Sequence, residues 1–160
     1  MTLALGVITI FPEMFDCLKY GVVGKAFEKK LASLQIWNLR QWAVSAYGHV
    51  DERAYGGGPG MVMMYEPLHQ AIQYAKQLMP SQCKTIYLSP QGKPITQDML
   101  QQFSDSKQSF IFVAGRYEGI DERLFHHDID EEWSLGDFVI SGGELAAMTF
   151  IDAMIRLVPG

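Results

Sequence analysis

Three β-rich apolar runs, each stopping at a turn-forming segment, constrain this chain more than any other feature. They are Leu3 to Ile10, bounded by Pro12; Lys84 to Ser89, running into Ser89-Pro90-Gln91-Gly92; and Ser109 to Ala114, ending at Gly115. Near-continuous apolar strands are those that a sheet covers on both faces. Between them lie segments of helical spacing. Met14, Phe15, Leu18, Val22, Val23, Ala26 and Phe27 predict a helix that Gly21 and Gly24 interrupt or split. Leu34 to Leu39 reads as a second strand. Leu68, Ala71, Ile72, Ala75 and Leu78 predict a helix with Pro67 in its first turn and Pro80 beyond its end. Thr96 to Phe103 and a short stretch at Ile120 to Phe125 read as helices, Asp137 to Ile140 as a strand, and Gly143 to Leu157 as a long final helix. Strands alternating with helices give an α/β domain with a mainly parallel sheet flanked by helices. The one long irregular segment, Ala43 to Tyr65, carries Tyr55-Gly56-Gly57-Gly58-Pro59-Gly60, and a loop of that length is usually functional.

Composition narrows the function classes. The 160 residues suit one globular domain, and no apolar run approaches the roughly 20 residues that span a bilayer. The apolar N-terminus lacks a basic flank and a small-residue cleavage site, so it reads as a first strand. Cys17 and Cys83 show no metal-ligand or redox spacing and read as reduced thiols in or near the core of a cytoplasmic protein. A net charge of −5 argues at first against nucleic acid, since duplex-binding modules are usually basic. The acidic excess lies in the second half, so any RNA must meet a local patch, another domain or another subunit.

Three glycine-bearing loops follow or lie beside the expected strands: Leu88 to Gly92, Gly115-Arg116-Tyr117-Glu118-Gly119, and Leu135-Gly136-Asp137 through Ser141-Gly142-Gly143-Glu144. Ligands of open α/β sheets bind beyond the carboxyl ends of the strands, where glycine lets backbone approach closely. Neither GxGxxG after the first strand nor GxxxxGK[ST] is present. The loops are poor in lysine and rich in acid (Glu118, Asp121, Glu122, Asp137, Glu144), which disfavours a polyphosphate. Carboxylates accept from a ribose diol or attract a cation, so the residues alone indicate an adenosine-like or cationic small molecule.

Several runs resemble the bacterial tRNA (guanine-N1)-methyltransferase (TrmD) family of the SPOUT class. They are Phe11-Pro12-Glu13-Met14-Phe15, Arg53 with Tyr55 to Met61, Tyr87 to Gly92, Gly115 to Arg123, Ile129 to Ser134, and Gly136-Asp137 leading to Ser141-Gly142-Gly143-Glu144-Leu145. The resemblance implies a SPOUT fold with a deep C-terminal trefoil knot, a feature that sequence reasoning otherwise rejects. It implies a homodimer with shared active sites and methyl transfer from S-adenosyl-L-methionine to N1 of the guanosine just 3′ of the tRNA anticodon. Residues 1–160 would be the cofactor-binding domain, without the C-terminal tRNA-binding domain that carries the family's aspartate base. The cofactor would meet Tyr87, Leu88, Ser89 and Pro90; Gly115, Tyr117, Glu118 and Gly119; and Leu135, Gly136, Asp137, Phe138, Val139 and Ile140. Arg156 matches a family arginine near the transferred methyl. Arg53, Gly57, Gly58 and Pro59 would face the RNA or guanine of the anticodon stem-loop. Phe138 stands where relatives often carry Tyr, and Ala146 where they often carry Pro.

Simpler readings stand beside these. Each glycine loop is by itself a turn. His126-His127-Asp128 with Asp130, Glu131 and Glu132 matches no metal spacing and reads as a solvated acidic face. Asp121, Glu122 and Arg123 read as a surface charge cluster, Met61, Met63 and Met64 as packing, and Trp37, Trp42 and Trp133 as core or interface residues. Arg156 on a helix pairs readily with Asp152, its i−4 neighbour. Two other functions compete: a non-catalytic nucleotide-binding or dimerisation module, and a different SPOUT enzyme acting on ribosomal RNA or a ribose 2′-hydroxyl.

Overall fold

A computed structural model describes residues 2–43, 48–53, 61–116 and 119–160; of Arg53 it describes the backbone. The elements run β1 (Leu3–Thr9), a 3-10 segment (Pro12–Lys19), α1 (Gly21–Glu28), β2 (Ala32–Asn38), a second 3-10 turn (Leu39–Trp42), β3 (Asp51–Arg53) and β4 (Met61–Met63). They continue with α2 (Tyr65–Leu78), β5 (Lys84–Pro94), α3 (Gln97–Ser106), β6 (Phe110–Val113), α4 (Arg123–His127), β7 (Glu131–Ser134) and α5 (Glu144–Ile155). Five strands form one sheet in the order β2-β1-β6-β5-β7, every neighbouring pair parallel. The α/β expectation therefore holds.

The apolar runs become central strands because both of their faces are covered. In β6, Phe110 and Phe112 point to one core and Ile111 and Val113 to the other. The first core lies under α1, α3 and α5; the second lies under α2 and α4. Trp133, fully buried, centres the first, stacked on Phe103 at 5.2 Å and edge-on to Phe110 and Phe150 at 4.9 and 5.5 Å. Trp37 is likewise buried, and Trp42 meets Tyr74 at 5.5 Å, so the packing reading of the tryptophans stands. The expected N-terminal helix does split, into a 3-10 segment and α1, with Gly21 at φ +67 between them.

Three expectations need correction. The last strand lies at Glu131–Ser134, and Asp137 to Ile140 forms irregular chain. Its acidic residues masked it: Glu131 is charge-compensated by Lys84 at 3.2 Å and Lys93 at 3.0 Å, while Trp133 fills the core. The same facts overturn part of the solvated acidic face. Asp128 is buried and lies 2.8 and 2.9 Å from His69 Nδ1, and it accepts from Gln73 Nε2 at 2.8 Å. Cys17 is exposed rather than in the core, its Sγ 3.4 Å from Met148 Sδ.

Within the long segment before α2, β3 and β4 pair antiparallel. Met63 is fully buried and its backbone grips the chain after β6, donating to the Gly119 carbonyl at 2.9 Å and accepting from Asp121 at 3.1 Å. This anchors β4 beside the chain that follows β6.

Candidate functional site

The strand order decides where the glycine loops meet. β6, β5 and β7 lie side by side, so the segments leaving their carboxyl ends converge on one cleft of about 580 Å³. That size suits a small ligand, for which pockets run roughly 300–1,000 Å³.

The first wall comes from β5. Its pairing with β7 jumps from Leu88 to Lys93 opposite Trp133, so Ser89 to Gly92 bulges out of the ladder. The strand thus continues past the expected stop, and the bulge turns Ser89, Pro90 and Gln91 into the cleft. Ser89 Oγ accepts from the Gln91 amide at 3.0 Å, stabilising the turn. Tyr87 and Leu88 line the base. Burial of Tyr87, with the charge of Glu132 adding to it, pushes its phenol up to about 12, so the hydroxyl stays protonated.

The second wall follows β6. Gly115 lies beneath the Tyr87 ring, where a Cβ would stand 2.8 Å from Cε1; only glycine lets ring and backbone approach so closely. The third wall follows β7. Ser134 Oγ donates to the Gly136 carbonyl at 2.9 Å, which sets the bend. The chain then crosses to α5, and the Gly143 amide donates to the Gly115 carbonyl at 2.8 Å. A Cβ on Gly143 would stand 2.9 Å from Ala114 Cα, so the two loops pack backbone to backbone.

Of the expected cofactor residues, Tyr87, Leu88, Ser89, Pro90, Gly115, Gly119, Leu135, Gly136, Phe138, Val139 and Ile140 line this one cleft. Asp137 is exposed and does not line it. Tyr117 and Glu118 lie outside the described residues, as do Gly57, Gly58 and Pro59. Arg53 ends β3. Arg156 caps the carboxyl end of α5, exposed, away from the cleft lining and without an ion pair to Asp152. One chain therefore gathers the cofactor candidates and leaves the arginine apart.

The cleft also takes in residues that were not among the cofactor candidates. Glu122 and Glu132 line it, beside the polar Ser89, Gln91 and Ser141. Arg116 adds one cation, and Ile120 and Phe125 add apolar area. Glu132 lay in the stretch read as solvated, so composition concealed it. Phe138 and Val139 are 55% and 85% exposed, an unusual display of apolar surface for a structured loop. Asp121 and Arg123 do form a local charge cluster: the Arg123 side chain donates to Asp121 at 2.8 and 3.0 Å and, against burial, holds that carboxyl below its usual range.

Glycine-walled approach, a neutral phenol, exposed apolar side chains and two carboxylates fit a flat aromatic ring joined to a polar or cationic tail. Among the described residues, no group of three or more His, Cys, Asp or Glu is placed to hold a metal, and no helix is long and apolar enough to cross a membrane.

The fold and cleft define an α/β ligand-binding domain whose site lies in loops beyond a parallel sheet. A family model described as tRNA (Guanine-1)-methyltransferase TrmD matches residues 3–160, and the chain belongs to that family. It is similar to the tRNA (guanine-N(1)-)-methyltransferase of Legionella pneumophila (strain Paris), 62% identical over the whole chain and 64% of that relative. The enzyme of the same name from Coxiella burnetii (strain Dugway 5J108-111) is 52% identical, with 65% of it covered. The chain thus spans slightly less than two thirds of these curated relatives. A crystal structure of tRNA (m1G37) methyltransferase from Aquifex aeolicus superposes with a TM-score of 0.88 at 37% identity, covering all of this chain and 72% of that one.

Proposed function

We propose that this chain is the cofactor-binding domain, residues 1–160, of a cytoplasmic tRNA (guanine-N1)-methyltransferase. It transfers a methyl group from S-adenosyl-L-methionine to N1 of the guanosine 3′ of the anticodon. The observation that carries the reading is the convergence of all three glycine loops on one cleft, in a chain matched to the TrmD family from residue 3 to 160.

S-adenosyl-L-methionine supplies an electrophilic sulfonium methyl. Backbone at Leu135, Gly136 and Ile140, with Phe138 and Val139, would hold the adenine. Pro90 and the Tyr87 ring would close the opposite wall, and Tyr117, Glu118 and Gly119 would complete the second loop. Glu122 and Glu132 supply the negative field that a cation selects. Asp137, exposed here, is assigned a peripheral place at most. Transfer to N1 needs in-line alignment, loss of the N1 proton and stabilisation of charge on guanine O6. Arg156 is assigned the last role. Because it lies away from the cleft of its own chain, the assignment goes with a homodimer in which it serves the partner's cleft.

Arg53, Gly57, Gly58 and Pro59 are assigned to the tRNA anticodon stem-loop. The contact of β4, which follows them in the chain, with Gly119 of the cleft lining supports this. The return of the chain after β7 across the sheet ends to α5 supports the SPOUT knot. The base that takes the N1 proton is assigned to the part of the relatives this chain does not span, so these 160 residues alone should show at most trace transfer to tRNA.

Calorimetric titration with S-adenosyl-L-methionine, with ATP as control, tests the reading. Saturable binding of the former alone, weakened about tenfold or more by Gly136→Val, is expected. Preference for ATP, or no binding by a folded sample, would overturn it.

A further inference from the structure

The carboxylate of Glu144 is fully buried in the first turn of α5, and both of its oxygens are engaged. Oε1 accepts from Arg116 Nε at 2.7 Å, and Oε2 accepts from Thr9 Oγ1 at 2.7 Å. The Thr9 hydroxyl thus donates to the carboxylate while its oxygen accepts from the Phe11 amide at 2.9 Å. The Arg116 guanidinium lies 4.7 Å over the Phe11 ring and reaches the Ser141 carbonyl at 3.5 Å. Gly142 lies directly against it, with no room for a side chain.

These partners come from three places far apart in sequence. Thr9 closes β1, Arg116 follows β6 and lines the cleft, and Glu144 ends the loop that forms the third wall. A buried ion pair contributes little net stability compared with apolar packing, which leaves geometry as the role to test. Here it ties the second wall to the third, beside the backbone bond from Gly143 to Gly115.

We propose that Arg116 and Glu144, supported by Thr9, are positioning residues that clamp the 135–143 loop against the 115–116 segment and so preform the cofactor cleft. The proposal rests on the reading of that cleft as the cofactor site. The clamp itself exists without any ligand, so it is open to separate test. Arg116 acts through Glu144 and the loop.

The test uses Arg116→Gln, Glu144→Gln, their double variant and the conservative Thr9→Ser. Amide hydrogen exchange at 136–143 is measured without ligand, and S-adenosyl-L-methionine affinity by calorimetry. Each Gln variant should speed exchange in 136–143 while leaving the β1 and β6 amides protected, and should weaken binding about tenfold. The double variant should bind no more weakly than the worse single one, because the two groups act as a unit. Thr9→Ser, which keeps the hydroxyl, should behave as the parent. Unchanged exchange in 136–143, or additive losses of affinity, would overturn the clamp. If Glu144→Gln fails to fold, Arg116→Gln decides through the same two readouts. If the parent chain fails to bind S-adenosyl-L-methionine, the functional reading falls and the exchange result alone judges the clamp.

Discussion

Replacing Gly143 with alanine tests how closely the two cleft loops are packed. Gly143 has φ −78, so alanine meets no backbone penalty, and loss of unfolded-state entropy favours the variant by about 0.4–1 kcal/mol. Against this, the new Cβ would stand 2.9 Å from Ala114 Cα and 3.0 Å from the Gly115 nitrogen. Both are backbone atoms of a buried segment and cannot swing aside. Relieving the overlap means separating the loops by several tenths of an ångström, an overpacking cost of about 1–3 kcal/mol. The 2.8 Å bond from Gly143 to Gly115 stretches at the same time, forfeiting about 0.5–1.5 kcal/mol. The net loss should be about 2 kcal/mol, within a range of about 0.5–4 kcal/mol, and at the central value a domain of this size loses about 4–8 °C in Tm. Gly136→Ala is the control: the three atoms nearest its Cβ would belong to the exposed Phe138 ring, which can rotate away, so stability should change by about 0.5 kcal/mol or less. Thermal unfolding followed by circular dichroism measures both. Equal Tm values for Gly143→Ala and the parent would refute the backbone-to-backbone packing.

Burial opposes the charge of Glu131, but hydrogen bonds from Trp133, Lys93 and Lys84 outweigh it and bring the carboxyl from 4.5 down to about 2. A depressed carboxyl stabilises the fold above its unfolded value, so that contribution should be lost as pH falls from about 4.5 to about 2. Urea midpoints against pH should therefore flatten in Glu131→Gln; an unchanged slope would contradict the assignment. Asp128→Ala leaves His69 and Gln73 without their buried acceptor and should cost about 1.5–3 kcal/mol in chemical denaturation, with Asp128→Asn costing less. Burial, aided by the charge of Asp130, pushes the Cys83 thiol up to about 12, while Cys17 is exposed. Alkylation near neutral pH followed by mass spectrometry should label Cys17 well before Cys83, and equal rates would mean that Cys83 is not shielded as described.

Local pattern carried most of the architecture. Two-sided apolar runs such as Phe110 to Val113 can be satisfied only in the middle of a covered sheet, which is why the parallel α/β arrangement was legible from residue type alone. Glycine at 115, 136 and 143 marked the loops because a missing Cβ is a property of the residue itself. Tyr87 to Pro90, Phe138 and Val139 came as candidates from the family resemblance, and the structure brings them to one cleft. What it could not reveal was anything whose cost is cancelled at a distance. Glu131 looked solvated because its compensating lysines at 84 and 93 are on another strand. Asp128 looked like a surface acid because its acceptor role is filled from α2, 59 residues earlier. Glu144 looked like one more loop carboxylate, yet it is buried against Thr9 across 135 residues and against Arg116 across 28. A charge enters a core only where partners converge on it, and convergence is decided by the order in which β1, β6, β5 and β7 lie side by side. The chain by itself determined which segments are strands, helices and close-approach loops; only the tertiary structure decided which charges are buried and which loops share a cleft.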